Sequence, residues 1–289
     1  MTELRLLACF AHPDDEAFPV GGALALHAKK GVNVRLITAT SGEEGDIRSP
    51  GIATTVTLGA IRRAELRSSI TALGLQSLSI LGYRDSGMSG SSSNNHTDAF
   101  INAPASEVVE TIVREIRSFK PQVVLTFEPG GLYGHPDHIA ICKHTTEAFH
   151  LANDQSSFTN HISEGLDPFQ PSKLFYSARP QGFRTTMALK LREAGIDFPL
   201  PNIERANDGI DPSSFQLEMD VSSELDAKMS CIQCHKTQVA PNWPYNKVSR
   251  GVAEDILGVE HYIRAWPELT ETEHLSENFF HGIDQTQSQ

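Results

Sequence analysis

Two short stretches of this 289-residue chain carry the residue types that metal-assisted hydrolysis needs. The first, Ala11-His12-Pro13-Asp14-Asp15-Glu16, places one imidazole and three carboxylates directly after an apolar run at 4–10 that reads as a buried strand. A lone carboxylate at such a strand end is costly, because desolvating an unpaired charge opposes folding strongly. A bound cation resolves that conflict, and histidine with aspartate suits zinc. Taken alone, the stretch is equally compatible with a solvated acidic turn. The second, Tyr133-Gly134-His135-Pro136-Asp137-His138, follows another strand-like run at 123–127 and a loop with Pro129, Gly130 and Gly131. Packing needs do not account for two His-Pro-Asp tripeptides, each just past a buried strand. His138 is placed to supply a third ligand. Three protein ligands and one water make an open, catalytic zinc site rather than a closed structural one.

The elements around these stretches alternate strand and helix. Strands are expected at 4–10, 32–38, 77–81 and 123–127. Helices are expected at 17–30 (ended by Gly31), 58–73 (ended by Gly74), 105–119 (opened by Pro104) and 138–151. Such alternation implies a Rossmann-like, doubly wound α/β fold with a mostly parallel sheet and helices on both faces. In that arrangement the first strand lies beside the second and fourth, and ligands bind at the strands' carboxyl ends where the order reverses. Asp15 and His138 would therefore meet in one crevice. Residues 86–102, rich in Gly, Ser and Asn, read as a mobile loop over that edge, and 155–172 as an irregular connection. Further strands are expected at 173–176 and 215–221 with a helix at 185–194 between them. A last helix is expected at 222–239, and the polar tail, 270–289, reads as loosely ordered. Residues 1–205 are read as the catalytic core, and 206–289 as a smaller C-terminal extension that completes the same domain and covers the site. No internal repeat is found.

Apolar residues make up 39% and charged residues 21% of the chain, ordinary values for a globular protein with a real core. With 24 basic against 36 acidic residues, a net charge of −12 and no basic run, nucleic acid and anionic membrane surfaces are poor partners. The first apolar run, flanked by Glu3 and Arg5 and stopped at His12, is too short for a signal peptide. No stretch approaches the roughly 18 apolar residues of a membrane span. A cytoplasmic protein is expected, and a homo-oligomer is left open. Cys9 and Cys142 read as small buried apolar residues. Cys231-Ile232-Gln233-Cys234-His235 matches the spacing for c-type haem attachment. The missing export signal and the helical spacing of Val221, Leu225, Met229 and Ile232 argue against haem. A redox dithiol would need its thiols at a helix N-terminus, whereas these lie well inside the expected helix. No G-x-G-x-x-G follows the first strand; carboxylates stand where a dinucleotide phosphate would sit, which disfavours a nicotinamide or flavin enzyme.

In these motifs the chain resembles the LmbE-like, or PIG-L, zinc deacetylases. These remove the acetyl group from N-acetylglucosamine linked to inositol, phosphatidylinositol, malate or another sugar. The resemblance rests on residues 11–16 and 135–138. It extends to Thr40-Ser41-Gly42-Glu43-Glu44-Gly45, to Arg62-Arg63-Ala64-Glu65 followed by Leu73-Gly74, and to Lys228 with His235, Thr237 and Gln238. Arg84-Asp85-Ser86-Gly87-Met88 is similar to a segment of the mycothiol-pathway deacetylases. The resemblance implies that His12, Asp15 and His138 hold zinc and that Asp14 is the general base. The spacing agrees, since a tight turn aims His12 and Asp15 at one point and leaves Asp14 on the other side. It also implies that His135, held by Asp137, stabilises the oxyanion as an imidazolium, its pKa raised by that carboxylate. The final proton donor to the amine is left open between His135 and Asp14.

Tyr133 is expected near the same oxyanion, or packed over the Gly-rich loop. Arg62 and Asp85 match positions that hold sugar hydroxyls, with an ordinary surface Arg and a turn Asp as the alternative. Glu16 is expected at a helix start, favoured by the macrodipole, and Glu65 as a support of the fold. The implied activity is hydrolytic removal of the N-acetyl group from a small-molecule amino sugar. Cleavage of another glucosaminyl amide, such as a thiol conjugate, is the alternative. The same donors suit iron as well as zinc.

Overall fold

The computed structural model describes residues 3–203, 205–268 and 278–283. The apolar runs become strands of one sheet, with helices between them. In chain order these are β1 (Arg5–Phe10), α1 (Gly21–Lys29), β2 (Asn33–Thr40), α2 (Leu58–Ala72), β3 (Ser77–Tyr83), α3 (Ala105–Phe119), β4 (Val123–Phe127), α4 (Gly131–Gly134) and α5 (Pro136–Leu151). There follow α6 (Thr159–Ser163), β5 (Lys173–Ala178), α7 (Phe183–Glu193), β6 (Leu217–Asp220), α8 (Leu225–Cys234), α9 (Arg250–Leu257) and β7 (Val259–Trp266). The strand order is β3-β2-β1-β4-β5-β7-β6. The first five strands are parallel and β7 alone runs antiparallel, to both β5 and β6, so the fold is the mostly parallel α/β sheet expected.

β1 is buried from Leu6 to Phe10, as a central parallel strand must be when helices cover both faces. Leu7 pairs with Arg35 on one side and Val124 on the other. The chain thus winds outward in both directions from β1, and the loops leaving β1 and β4 open onto the same crevice. α3 shows how the helices are specified. Val108, Val109, Ile112, Val113, Ile116 and Phe119 recur on one face and are all buried, and Lys120 ends the helix in a left-handed conformation.

The C-terminal third departs from expectation. The helix expected at 222–239 stops at Cys234, after a short turn at Ser222–Glu224, and is followed by α9 and β7. β7 escapes a hydrophobicity reading because its inward positions alternate correctly but include Glu260 and Arg264, both buried. Glu260 has a specific task. Its carboxylate accepts the free N–H groups of Gly22 and Ala23, both at 2.8 Å, at the N-terminus of α1, which has no acidic residue in its own first turn. Lys228 Nζ and the Tyr262 hydroxyl, each at 2.7 Å, complete the cluster. Gly22 is also required by Val221 packed against it, since a Cβ there would lie 2.4 Å from Val221 Cγ2.

Residues 86–102 are packed rather than loose. Arg84 bridges to Ala99, two short 3₁₀ turns fold the segment, and Phe100 is fully buried. Most of the tail expected to be loosely ordered lies outside the described residues, but Phe279 and Phe280 are buried, with Phe279 stacked on His27. Among the described residues, no helix is long and apolar enough to cross a membrane.

Candidate metal centre and active site

The turn after β1 folds back on itself. The Asp15 carboxylate accepts the backbone N–H groups of Ala11 at 3.1 Å and His12 at 2.7 Å, which fixes it over the strand end. Its other oxygen lies 3.3 Å from His138 Nε2, and His12 Nδ1 lies 3.1 Å from His138 Nε2 and 3.6 Å from Asp15 Oδ2. The three residues expected as metal ligands therefore converge, all buried. Their edges match those of a tetrahedral site, where ligand atoms about 2.0–2.1 Å from zinc stand about 3.3 Å apart.

The tautomers strengthen the fit. His138 Nδ1 faces the Gly131 carbonyl at 3.2 Å, and its ring stacks on Phe127 with centroids 4.1 Å apart. His12 Nε2 faces Asp137 Oδ2 at 3.1 Å and Asp85 Oδ1 at 3.5 Å. With each ring's hydrogen assigned to those acceptors, His12 Nδ1 and His138 Nε2 present lone pairs to each other. Two nitrogens this close need a proton or a cation between them, and with the Asp15 carboxylate beside them the donor set fits a divalent metal. Burial alone would raise the Asp15 pKa, but the imidazoles of His138 and His12 outweigh it and hold this carboxyl well below its usual range. Asp15 is thus held in its ionised form, the form a metal ligand requires.

Two expectations are corrected here. The Asp137 carboxylate does not pair with His135. It spans His12 Nε2 and the Ser86 N–H, the latter at 2.9 Å, and it is fully buried. Asp85 is not free to bind sugar either. It is 3% exposed, and besides His12 it accepts the backbone N–H of Gly87 at 2.8 Å and of Glu44 at 3.2 Å. Both acids hold His12 from behind, as outer partners of metal-bound histidines do.

Asp14 stands apart from the triad, as expected. It adopts a left-handed backbone conformation, φ +105°, rare for a residue with a Cβ. Several contacts hold it there. Its own N–H donates to Glu16 Oε2 at 2.9 Å, and its carbonyl accepts from Ala17 at 3.0 Å. Its carboxylate faces Arg62 Nη2 at 3.3 Å and is 21% exposed, open to a reactant. Burial pushes its pKa up, against the opposing charge of Arg62. Arg62 itself is 3% exposed and also donates to the carbonyls of Gly42, at 2.8 Å, and Pro13. It positions Asp14 and is too buried to present itself to a sugar. Gly42, at φ +68°, is required by this packing, because a Cβ there would lie 2.2 Å from Arg62 Nη1.

Glu16 is not a helix-start residue, since α1 begins at Gly21. It is fully buried and paired with His235 Nε2 at 2.6 Å, with the Ser69 hydroxyl and Cys231 Sγ, at 3.8 Å, beside it. The pair explains the His235 signal, and it removes the dithiol reading. Burial pushes both Cys231 and Cys234 thiols up, the reverse of a reactive pair. Glu65 supports the fold, accepting both the N–H of Thr237 at 2.8 Å and its hydroxyl at 2.6 Å.

His135 lies against the triad, its ring centroid 4.5 Å from His12 and 5.0 Å from His138. As the N-cap of α5 its Nδ1 accepts the Asp137 backbone N–H at 3.2 Å. Burial, then the charges of His12 and His138, lower its pKa to about 4, opposite to the rise expected. It is therefore a neutral ring whose Nε2–H is left to donate. Tyr133 stands 5.0 Å from the His138 ring and 6.1 Å from His135, and burial lifts its phenol to about 12. Glu128, which the sequence reading missed, anchors this turn by accepting the N–H groups of Gly130 and of Leu132, the latter at 2.6 Å. The clue was available, since Glu128 is another carboxylate directly after a buried strand.

Fold and site together define a class: an α/β enzyme scaffold with a candidate divalent-cation site at the carboxyl edge of its sheet, between the strands where the winding reverses. Residues 7–149 match the family described as GlcNAc-PI de-N-acetylase, PIG-L. The 1D-myo-inositol 2-acetamido-2-deoxy-alpha-D-glucopyranoside deacetylase of Thermobispora bispora is 34% identical over 274 residues, covering 91% of this chain and 88% of that one. The protein of the same name from Rhodococcus erythropolis is 34% identical over 272 residues, covering 90% of each. The chain belongs to the PIG-L, or LmbE-like, family. Among solved structures, the N,N'-diacetylchitobiose deacetylase of Pyrococcus horikoshii superposes with a TM-score of 0.64 at 19% identity, covering 90% of this chain and 83% of that one. GalB from Pseudomonas putida, a 4-carboxy-2-hydroxymuconate hydratase, superposes at 0.60 with 20% identity, covering 93% and 99%. The scaffold is thus shared by different chemistries, and function must be argued from the site.

Proposed function

We propose that the protein is a metal-dependent hydrolase that removes the acetyl group from an N-acetylglucosamine-type substrate. The observation that carries this is the convergence of His12, Asp15 and His138 beside an independently positioned Asp14, in a chain similar over most of its length to named deacetylases of such sugars. A divalent cation held by that triad, zinc or iron, would polarise the acetyl carbonyl and lower the pKa of a water molecule.

The remaining roles follow from the chain's own residues. Asp14 takes a proton from the attacking water, and its burial makes it a stronger base than a solvated aspartate. As the water oxygen bonds to the acetyl carbon, negative charge develops on the carbonyl oxygen. The neutral Nε2–H of His135 and the Tyr133 hydroxyl are the donors placed to meet it. The carbon–nitrogen bond then breaks, and Asp14 returns the proton to the departing amine, giving acetate and a glucosamine. A neutral His135 has no spare proton at pH 7, which favours Asp14 as the shuttle. Residues 206–289 complete the same unit, bringing Glu260 to α1 and His235 to Glu16.

The test is amine release from a panel of N-acetylglucosaminides, with metal content measured on the same sample. Turnover that is lost on chelation and restored by zinc is expected. A metal-loaded protein that leaves every acetyl sugar intact but cleaves a larger glucosaminyl amide would overturn the acetyl assignment.

A further inference from the structure

One stripe of α2 and the end of α8 bring buried polar groups to the turn that carries Asp14. Arg62, Glu65 and Ser69 stand three and four residues apart on α2, and all three are buried. Arg62 faces the Asp14 carboxylate, Glu65 holds Thr237, and the Ser69 hydroxyl donates to Glu16 Oε1. His235, just past the end of α8, closes the set with its Nε2 2.6 Å from the same oxygen. Glu16, Ser69 and His235 are each fully buried. An ion pair at such a place adds little net stability over apolar side chains of the same size, because desolvation cancels most of its attraction. What it does provide is a fixed acceptor for one backbone group.

That group is the Asp14 N–H, which donates to Glu16 Oε2 at 2.9 Å. Asp14 needs the anchor. Its φ of +105° is unfavourable for a residue with a Cβ and persists only where the surroundings over-determine it. On the carbonyl side the turn itself supplies partners, the N–H groups of Ala17 at 3.0 Å and Phe18 at 3.4 Å. On the N–H side Glu16 is the one acceptor among the described residues. Both oxygens of Glu16 meet donors: Oε2 the Asp14 amide, and Oε1 the Ser69 hydroxyl and His235, with the ring hydrogen assigned to that contact. A carboxylate serves there, whereas a side-chain amide would turn its own donor against one of them. Among the described residues, neither Glu16 nor His235 hydrogen-bonds to His12, Asp15 or His138.

We propose that Glu16 and His235, steadied by Ser69, are positioning residues for hydrolysis, fixing the backbone of Asp14 so that its carboxylate meets the attacking water. This rests on the reading of Asp14 as the base. His235 thus reaches the reaction from 219 residues away in sequence, through a carboxylate that touches neither metal nor substrate. A displacement of a reacting group by about 1 Å can cost on the order of 100-fold in rate, so loss of the clamp should appear in kcat.

The experiment is a double-mutant cycle on the zinc-loaded full chain. His235→Leu and Asp14→Asn are made singly and together, and His235→Gln is the conservative variant, since its amide N–H reaches the place of Nε2. His235→Leu should lower kcat by about 10- to 100-fold, with KM and zinc affinity within about twofold of wild type. His235→Gln should recover most of that loss. In the Asp14→Asn background, His235→Leu should lower kcat by less than about twofold, because the group it positions is already gone. Equal losses of kcat in both backgrounds, or a loss that appears in KM or zinc affinity instead, would overturn the positioning. If His235→Leu does not fold, Glu16→Gln takes its place in the same cycle with the same outcomes, since it sets a donor against the clamp without leaving a buried charge. If the wild type cleaves only a larger glucosaminyl amide, the acetyl reading fails and the cycle is run on that amide. If it hydrolyses neither, the hydrolase reading fails and hydrogen exchange at the Asp14 amide decides the clamp. Faster exchange there in His235→Leu, with β1 unchanged, supports it, and equal exchange in both proteins refutes it.

Discussion

Replacing Asp137 separates two roles that its sequence position left confounded. If it orients His12, as the 3.1 Å contact with Nε2 indicates, then its loss weakens metal binding before it touches chemistry. A hydrogen bond to a charged acceptor contributes about 1.5–3 kcal/mol and a neutral one about 0.5–1.5. Asp137→Asn keeps an acceptor oxygen but removes the charge, so it should cost about 1–1.5 kcal/mol, or roughly tenfold in zinc affinity. Asp137→Ala removes the acceptor as well and should cost about 10- to 100-fold, the range seen when the outer partner of a metal-bound histidine is lost. Asp85, at 3.5 Å, is too distant for a full hydrogen bond and buffers only part of that loss. Asp85→Asn should therefore weaken zinc by no more than about threefold. Competition against a chromophoric chelator gives the affinities, and turnover at saturating zinc gives the chemistry. Unchanged zinc affinity in Asp137→Ala, with turnover still collapsed at saturating metal, would return Asp137 to His135 and refute this reading.

Asp14→Asn should retain metal, as measured by elemental analysis, while turnover falls by about a hundred- to ten-thousandfold; residual activity near wild type would remove Asp14 as base. His235→Leu strands Glu16 as a buried, unmatched carboxylate and should cost about 3–5 kcal/mol in denaturant unfolding. Adding Glu16→Gln should recover part of that loss, and strictly additive effects would mean the two do not act as a pair. His27 is buried, donates to the Ala23 carbonyl at 2.8 Å and stacks on Phe279, and burial lowers its pKa from 6.5 to about 4. The folded state therefore resists protonating a ring that the unfolded chain protonates freely. Its contribution is complete above pH 6.5 and declines by about 3 kcal/mol as pH falls towards 4. His27→Phe should flatten that part of the stability–pH curve, and an unaltered slope would assign the loss to other groups.

The parallel half of the sheet was legible because β1 and β4 are short apolar runs and α3 carries a clean 3.6-residue period. α3 matched residue for residue. The convergence of His12, Asp15 and His138 was legible because the topology sets the ends of β1 and β4 side by side, so two remote motifs needed only a strand order to meet. What escaped was the reach of side chains across the sheet edge. Asp137 and His135 are neighbours in sequence, yet the helical turn that makes His135 an N-cap swings the Asp137 carboxylate to His12. Glu16 looked like a helix-start acid until α1 began five residues later and His235 closed on it. β7 was hidden because two of its inward residues are charged, and the N–H groups that Glu260 meets lie far away in sequence.

The clamp at the start of α1 has a consequence for how the chain is made. His12, Asp15 and His138 are all synthesised by residue 138, whereas Glu260, which secures the helix after the first turn, comes much later. At ribosomal rates of about 5–20 residues per second, some 6–24 s separate the two. During that interval a nascent chain can gather His12, Asp15 and His138, but the N–H groups of Gly22 and Ala23 still await their acceptor. The centre reaches its final rigidity only as the last strand docks, so a ribosome that stalls late leaves a polypeptide with every ligand and a loosely held site.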